Sequence, residues 1–268
     1  MIIQRFKTLS EQNLQVDWLV DGLISSGSWT YLVGEAGSGK SMMCIQLCDA
    51  LQDGKPFLGM KTKKSNCLYV QVDAGTTEWK IQVRSLAGDS FAWTMYQMTD
   101  TFLDAQEEVQ RVKDVIWATY DTDTQYSRVL KHEEFDFIVF DVLNQMTAQD
   151  INTKVGFNYV LKKLMYMTSI GQGEGKLSKH FILVHHPSAS VKRGVMAGSG
   201  YKGFGGACGN MLTLGNNLLV LEKSKVTGKK ELLLERDTRT GAWLLPGNSF
   251  QVEDNPNFDI YKELGIER

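Results

Sequence analysis

The chain has almost no net charge and no long hydrophobic run. Its formal charge is −2 over 268 residues, so the whole chain does not indicate a polyanionic partner, and any nucleic-acid contact has to come from a local basic patch. No apolar run approaches the roughly 20 residues that span a bilayer. The opening stretch, "MIIQRFKTLSEQNLQVDW", lacks the apolar core and small-residue cleavage site of a secretion signal. We therefore expect a cytoplasmic protein without membrane contact.

Cysteine is scarce, with four residues in the chain and no Cys-x-x-Cys pair. Cys44 and Cys48 are four residues apart on one predicted helix face, but no nearby histidine completes a metal-binding set. Cys67 and Cys208 stand alone. We expect all four to be buried, reduced thiols, as in other cytosolic proteins.

Internal repeats, low-complexity tracts and linker-like segments are also missing. The composition, 43% hydrophobic and 22% charged, is ordinary for a globular protein, and a chain of this length can bury a core without disulfides. We expect a single domain over residues 1–268, with an N-terminal segment at 1–16 and a C-terminal tail at 247–268.

Apolar runs that end in polar residues alternate with stretches of helical periodicity. Strands are predicted at 29–33, 66–73, 135–141 and 180–186, and helices at 41–52, 76–88, 104–120 and 155–170. Two later segments, 209–224 and 229–246, predict strands with a hairpin turn near 225–230. This alternation, with strands buried on both faces, predicts an α/β fold: a mostly parallel twisted sheet flanked by helices, with a C-terminal antiparallel hairpin.

A glycine-rich loop follows the first of these strands. Gly34, Gly39, Lys40 and Ser41 match the G-x-x-x-x-G-K-[ST] pattern between a strand and a helix. Glycines let several backbone N–H groups converge on one anion, and the helix adds its positive end. Lys40 is expected to reach the β- and γ-phosphates of ATP, and the Ser41 hydroxyl to bind Mg²⁺. The alternative is a glycine turn with an accidental lysine. The predicted nucleotide-binding residues are Gly34, Glu35, Ala36, Gly37, Ser38, Gly39, Lys40, Ser41 and Met42.

Two predicted strands end in aspartate, at Asp141 in "FIVFD" and at Asp73 in "CLYVQVD". Acids at the carboxyl ends of neighbouring strands suit ATP hydrolysis, since one orders Mg²⁺ and the other polarises the attacking water. We assign Mg²⁺ to Asp141 and the water to Asp73, with Glu78, one turn into the next helix, as a competing base. The alternatives are a capping aspartate at position 141 and a helix acid at position 78 favoured by the dipole.

A third predicted strand ends in His185 and His186. An imidazole at this edge of the sheet is a candidate sensor of the γ-phosphate. A metal site formed by the pair is disfavoured, because adjacent residues on an extended chain point apart. The alternative is a loop histidine satisfied by the backbone.

The order of these motifs resembles the RecA-like ATPases, and within them the RepA-type hexameric helicases of plasmids and phages, which are related to DnaB. The matching segments are "GLISSGSWTYLVGEAGSGKS", "CLYVQVD", "FIVFD", "ILVHHPS" and "LEKSKVTG", within residues 17–240. The resemblance implies that Asp73 takes the place of a catalytic glutamate, one methylene longer. It also implies that His185 and His186 sense phosphate. Lys223 and Lys225 would then reach the nucleotide of a neighbouring subunit, whereas the alternative for them is a solvated hairpin end.

The resemblance also implies a function for the long glycine-rich, basic loop at 186–210. In RecA-like proteins this loop holds single-stranded DNA in the central channel. Positive side chains would meet phosphates and aromatic rings would stack on bases. The alternative is a flexible loop whose aromatic side chains pack locally. The predicted DNA-contacting residues are Lys192, Arg193, Tyr201, Lys202 and Phe204.

The preferred interpretation is an ATP-hydrolysing motor or helicase on single-stranded DNA, working in replication or recombination as a homo-oligomer, either a hexameric ring or a filament. If the gene belongs to a phage, the compartment is the host cytoplasm. Three other classes stay open: a phage-type recombination or annealing ATPase, a small-molecule kinase, and a regulatory module. Arginine is too scarce in the loop at 186–210 to favour the arginine-rich lid of a kinase. The short acid Asp73 favours the slow turnover of a regulatory module.

Overall fold

The structure is a computed structural model that describes residues 15–71, 76–87, 95–97, 135–142, 151, 153–169, 179–186 and 203–247. The helices in these ranges are α1 (Lys40–Asp53), α2 (Thr76–Ala87), α3 (Lys154–Ser169) and α4 (Gly203–Ala207). The strands are β1 (Trp18–Val20), β2 (Ile24–Ser25), β3 (Trp29–Val33), β4 (Cys67–Gln71), β5 (Met95–Gln97), β6 (Phe137–Asp141), β7 (His180–His185), β8 (Asn210–Gly215), β9 (Leu218–Ser224), β10 (Lys230–Leu233), β11 (Glu235–Arg236) and β12 (Trp243–Leu244).

One large sheet organises the described part of the chain. Its eight strands lie in the order β10-β9-β8-β3-β7-β6-β4-β5. The six strands from β8 to β5 are mutually parallel, whereas β9 and β10 run antiparallel at one side. The predicted fold class, a mostly parallel sheet with helices and a C-terminal antiparallel hairpin, is therefore confirmed. Two small hairpins, β1–β2 and β11–β12, lie outside this sheet.

The sheet is buried on both faces because its central strands are apolar along their whole length. Every residue of β3, β4, β6 and β7 is buried. Successive residues of β3 serve opposite faces: Leu32 belongs to the core cluster that contains Ile45 of α1, and Tyr31 to the cluster that contains Val160 of α3. The carboxyl ends of β3, β4, β6 and β7 consequently meet at one edge between these helical layers.

Where the chain is described, the predicted helices and the predicted strands up to residue 186 agree with the structure to within about two residues. The strand predicted at 229–246 is instead divided into β10, β11 and β12, because a turn at 237–241 interrupts it: Asp237 accepts a hydrogen bond from the Thr240 N–H, and Gly241 has a φ angle of 75°. The predicted hairpin turn near 225–230 joins β9 to β10. A second turn, which the sequence did not predict, joins β8 to β9 at Asn216 and Asn217, whose φ angles are 52° and 58°. Asparagine tolerates this left-handed conformation, and two such residues match the twist of a tight hairpin. The predicted helix at 104–120 lies outside the described residues, as do most of the terminal segments at 1–16 and 247–268.

Two further predictions concern cysteine and the membrane. All four cysteines are buried free thiols, as expected. Within the ranges that the structure describes, no helix is long and apolar enough to cross a bilayer.

Candidate nucleotide-binding site

The glycine-rich loop joins β3 to α1 through backbone conformations that need glycine. Gly37 and Gly39 have φ angles of 73° and 84°, a region that side-chain-bearing residues rarely adopt. A Cβ atom on Gly34 would lie 2.4 Å from the carbonyl oxygen of Leu214. A Cβ atom on Gly39 would lie 2.9 Å from the indole ring of Trp243. The loop is therefore held at its present curvature by close contacts with the Leu214 carbonyl at one end and the Trp243 side chain at the other.

The side chain of Lys40 folds back onto this loop and bonds its backbone. Its ammonium group donates hydrogen bonds of 2.8 Å to the carbonyl oxygens of Gly34 and Glu35. The side chain is buried, with 5% of its surface exposed. A buried ammonium group that faces the loop provides the positive charge that a phosphate chain requires.

Ser41 and Asp141 meet in the structure although they are 100 residues apart in the sequence. The Ser41 hydroxyl donates a 2.6 Å hydrogen bond to Oδ2 of Asp141, and Asp141 is buried at the end of β6. A hydroxyl and a carboxylate are both hard oxygen ligands of the kind that Mg²⁺ and its bound waters prefer. The structure thus brings together the two residues that the sequence analysis assigned to the metal.

Tyr69 is a third member of this cluster, and the sequence analysis did not single it out. Its hydroxyl donates a 2.6 Å hydrogen bond to the same Oδ2 of Asp141. Burial, and next the negative charge of Asp141, raise the pKa of Tyr69 well above its usual value, so the hydroxyl is a donor at neutral pH. The ring packs against Trp79 of α2 at a centroid distance of 4.4 Å. Tyr69 therefore helps to fix the Asp141 carboxylate, together with the Ser41 hydroxyl that donates to the same oxygen.

The loop and its surroundings fit a triphosphate with Mg²⁺. The N-cap residue of α1 is Gly39, which has no side chain to cap the first turn, so the backbone N–H groups and the positive end of the helix are available to an anion. The hydroxyl oxygen of Ser38 is buried without a hydrogen-bond partner among the described residues. These donors, with Lys40, Ser41 and Asp141, form the set that a P-loop uses for ATP and its metal.

Family comparison agrees with this geometry. A family model described as an AAA domain matches residues 4–190, a range that includes the glycine-rich loop, Asp141 and His185. The chain belongs to the AAA domain family. No curated protein matches the sequence.

The fold of this AAA-domain chain is similar to that of a solved archaeal protein. The flagellar accessory protein FlaH from Methanocaldococcus jannaschii aligns with a TM-score of 0.51 and 16% sequence identity, over 82% of this chain and 89% of that one. At this identity the likeness concerns the fold alone. Family and fold together confirm a RecA-like P-loop ATPase, whereas the RepA-type helicase branch stays a prediction.

The two histidines of the AAA-domain chain differ in their surroundings. His185 is fully buried, its ring lies 5.7 Å from that of Tyr31, and its Nδ1 accepts a 2.8 Å hydrogen bond from the backbone N–H of His186. Burial, with smaller contributions from His186 and Lys40, lowers the pKa of His185 to about 4, so the ring is neutral at physiological pH. His186 is half-buried at the end of β7. The role of either histidine as a phosphate sensor stays a prediction.

Trp243 contacts the phosphate-binding loop from the distant hairpin β11–β12. Its indole Nε1 donates a 3.1 Å hydrogen bond to the carbonyl oxygen of Gly39. The side-chain amide of Gln46 in α1 holds the Trp243 backbone through two hydrogen bonds, of 2.7 and 2.9 Å. The Arg236 guanidinium lies 5.6 Å from the centre of the indole ring. The sequence analysis missed this support of the loop, because its partners are about 200 residues apart.

Lys223 and Lys225 both contact α4 within the same chain. The Lys223 ammonium donates to the carbonyl oxygens of Gly205 and Gly206, and at 3.4 Å to that of Cys208. Lys225 is exposed, and its ammonium group contacts the Ala207 carbonyl at 3.5 Å. Cations near the final carbonyl groups of a helix satisfy them and complement its dipole. The two lysines thus hold α4, a short helix within the segment 186–210 that the sequence predicted to be a loop. Their reach to a neighbouring subunit stays a prediction.

The remaining predicted site residues cannot be placed beside this cluster. Asp73 lies outside the described residues, and Glu78 is exposed on α2. Phe204 belongs to α4, but its side chain is not described. The other predicted DNA-contacting residues, Lys192, Arg193, Tyr201 and Lys202, lie outside the described ranges.

Proposed function

We infer that this chain is an ATP-hydrolysing motor or helicase that acts on single-stranded DNA in replication or recombination, with active sites completed between the subunits of a homo-oligomer. The main support for ATP hydrolysis in this proposal is the hydrogen bond from Ser41 to Asp141. It places a loop hydroxyl and a strand-end carboxylate together at the first turn of α1, beside Lys40. A glycine turn with an accidental lysine does not require a carboxylate at this place.

Each residue of the cluster has a chemical task in this proposal. Mg²⁺–ATP supplies the phosphoanhydride bond and the metal charge that neutralises its oxygens. The Lys40 ammonium and the loop N–H groups bind and orient the phosphate chain. Asp141 and Ser41 hold the metal with its waters. Asp73 is the proposed base that orients the attacking water, and Lys225 the proposed cation from a neighbouring subunit.

Two observations support the single-stranded DNA part of the proposal: the sequence of the segment 187–202, and the contacts made by α4, the helix that follows this segment. The segment 187–202 combines glycine with basic and aromatic residues, the composition of a strand-tracking groove. It leads directly into α4, whose carbonyl groups bind Lys223 and Lys225. DNA held by the segment 187–202 would therefore be one short helix away from the two lysines that we propose reach the nucleotide of a neighbouring subunit.

A weakly hydrolysing regulatory module is the second candidate. It is favoured by aspartate at position 73, whose carboxylate is one methylene shorter than the glutamate of the family that the sequence resembles. A recombination or annealing ATPase would share the nucleotide site and the DNA loop but would not separate strands.

ATP turnover with and without single-stranded DNA tests the proposal. The wild type should hydrolyse ATP faster when DNA is added, and Lys40→Ala should abolish turnover in both conditions. A strand-displacement assay then separates a motor from a pairing factor. Measurable ATP binding with slow turnover that DNA does not change would overturn the motor and favour the regulatory module.

A further inference from the structure

Gln71, the last residue of β4, carries a buried polar atom that the site described so far does not use. The residue is 2% exposed, and its Oε1 has no hydrogen-bond partner among the described residues. Buried side-chain oxygens are nearly always satisfied, so an exception in a native fold calls for a ligand or water that completes it. The question is what kind of donor this oxygen meets.

The position of Gln71 in the sheet shows where its side-chain oxygen, Oε1, lies. Gln71 is the register partner of Asp141 on the neighbouring parallel strand, and paired residues of adjacent strands project to the same face. Tyr69, two residues earlier in β4, reaches the Asp141 carboxylate on that face. The side chain of Gln71 therefore projects next to Asp141, on the face that bears the phosphate-binding loop.

The chemistry of the neighbours restricts the missing donor. Ionised Asp141 has no proton to give to an amide oxygen. The two nearby hydroxyls, of Ser41 and Tyr69, both donate to Asp141 Oδ2. A water molecule bound to Mg²⁺ is a strong donor, and its place beside Asp141 is within reach of a side chain on the paired strand position.

We propose that Gln71 is a positioning residue whose Oε1 accepts a hydrogen bond from a water molecule in the Mg²⁺ shell, and so fixes the metal between Ser41 and Asp141. This inference rests on the proposed nucleotide site. It adds a residue that neither the P-loop pattern nor the acid-ended strands mark.

The test is the gain in nucleotide affinity that Mg²⁺ provides. A fluorescent ADP analogue is titrated into the protein in excess Mg²⁺ and in EDTA. The dissociation constant in EDTA is divided by that in Mg²⁺, and this ratio is compared between variants. Gln71→Met, which has a similar size but no acceptor oxygen, should lower this ratio about three- to tenfold, the effect of one hydrogen bond. Its affinity in EDTA should equal that of the wild type. Gln71→Glu, which keeps an oxygen at the same reach, should retain the wild-type ratio or exceed it.

A matched control is Gln82→Met, which makes the same substitution at a half-buried position on α2 and should leave the ratio unchanged. The inference is overturned if Gln71→Met retains the wild-type ratio, or if Gln71→Met and Gln71→Glu lower it equally. If Gln71→Met does not fold, Gln71→Asn is measured instead, since it moves the side-chain oxygen back by one methylene. A wild-type ratio in Gln71→Asn would also overturn the inference. A wild type that binds no nucleotide refutes the proposed function instead, so the two failures are distinguishable.

Discussion

The indole N–H of Trp243 is hydrogen-bonded to the carbonyl oxygen of Gly39, 204 residues earlier in the chain, at 3.1 Å. The carbonyl of Gly39 and the N–H of Lys40 belong to one planar peptide unit. Fixing the carbonyl therefore fixes the direction of an N–H group at the start of α1, where a phosphate would bind. The small hairpin β11–β12 thus contributes to the geometry of a loop that it follows by about two hundred residues.

Trp243→Phe should weaken both nucleotide binding and the fold. The change keeps an aromatic ring against the loop but removes the donor to Gly39, so we expect a loss of about 1 kcal/mol in unfolding free energy and a several-fold loss in ATP affinity. Urea unfolding and titration with a fluorescent ATP analogue measure the two effects. Unchanged affinity with reduced stability would show that the indole only packs against the loop.

Tyr69→Phe should slow ATP turnover. It removes the hydrogen bond from the Tyr69 hydroxyl to Asp141 Oδ2, so the carboxylate loses a restraint, and we expect kcat to fall about tenfold while KM for ATP changes little. Steady-state kinetics check this split. The matched control is Tyr159→Phe, which deletes the same hydroxyl from a partly exposed position on α3 and should leave kcat unchanged. Equal kinetics in both variants would remove Tyr69 from the site.

Lys223→Met should destabilise the protein by about 1 to 2 kcal/mol, because charge-assisted hydrogen bonds to the end of α4 are lost while the apolar stem is kept. Lys225→Met is the control, because Lys225 is exposed and the contact of its ammonium group with the Ala207 carbonyl is long, at 3.5 Å. Its unfolding free energy should match that of the wild type. If the two substitutions cost the same, the Lys223 contacts with α4 contribute nothing specific.

Mixtures of wild-type and Lys225→Ala subunits test whether this lysine acts on a neighbouring active site. If it does, a minority of variant subunits should lower turnover by more than their fraction, because each variant also impairs an adjacent wild-type site. ATPase rates are measured across mixing ratios. A linear decline, or none, would rule out action between subunits.

Acid should destabilise the fold through two buried histidines. Burial lowers the pKa of His180 to about 3 and that of His185 to about 4, whereas both are near 6.5 in an unfolded chain. Between pH 6.5 and pH 4 the unfolded chain therefore binds protons that the folded chain does not, and stability falls as pH falls, by up to about 1.4 kcal/mol per pH unit for each histidine.

His180→Gln isolates one of these contributions. Glutamine does not titrate and can still bond Thr30, whose hydroxyl oxygen lies 3.0 Å from His180 Nε2. The variant should show a shallower loss of stability between pH 6.5 and pH 4, measured by urea unfolding at several pH values. An unchanged slope would mean that His180 is protonated in the fold.

Local sequence patterns predicted the parts of this site that are themselves local. The loop at 34–41 and the apolar strand that ends at Asp141 are each written in a few consecutive residues, and parallel pairing of the strands brings them together. Tyr69 and Trp243 were missed because nothing near them in the sequence marks a polar role. Tyr69 reads as an ordinary strand residue, and its contact with Asp141 exists only once β4 and β6 are paired. The same holds for the pairing of Gln46 with Trp243, which depends on how β11–β12 docks on α1.

The outer strand β10 has a consequence for how copies of this chain can associate. In the part of the chain that the structure describes it pairs on one side, with β9. Lys230 and Glu231 lie in this strand, and Lys229 just before it bridges Glu231 at 3.1 Å and Glu222 at 3.5 Å. Charged side chains on an outer strand discourage another chain from extending the sheet. Extension of the sheet through β10 is therefore a disfavoured way to join the subunits of a ring or filament.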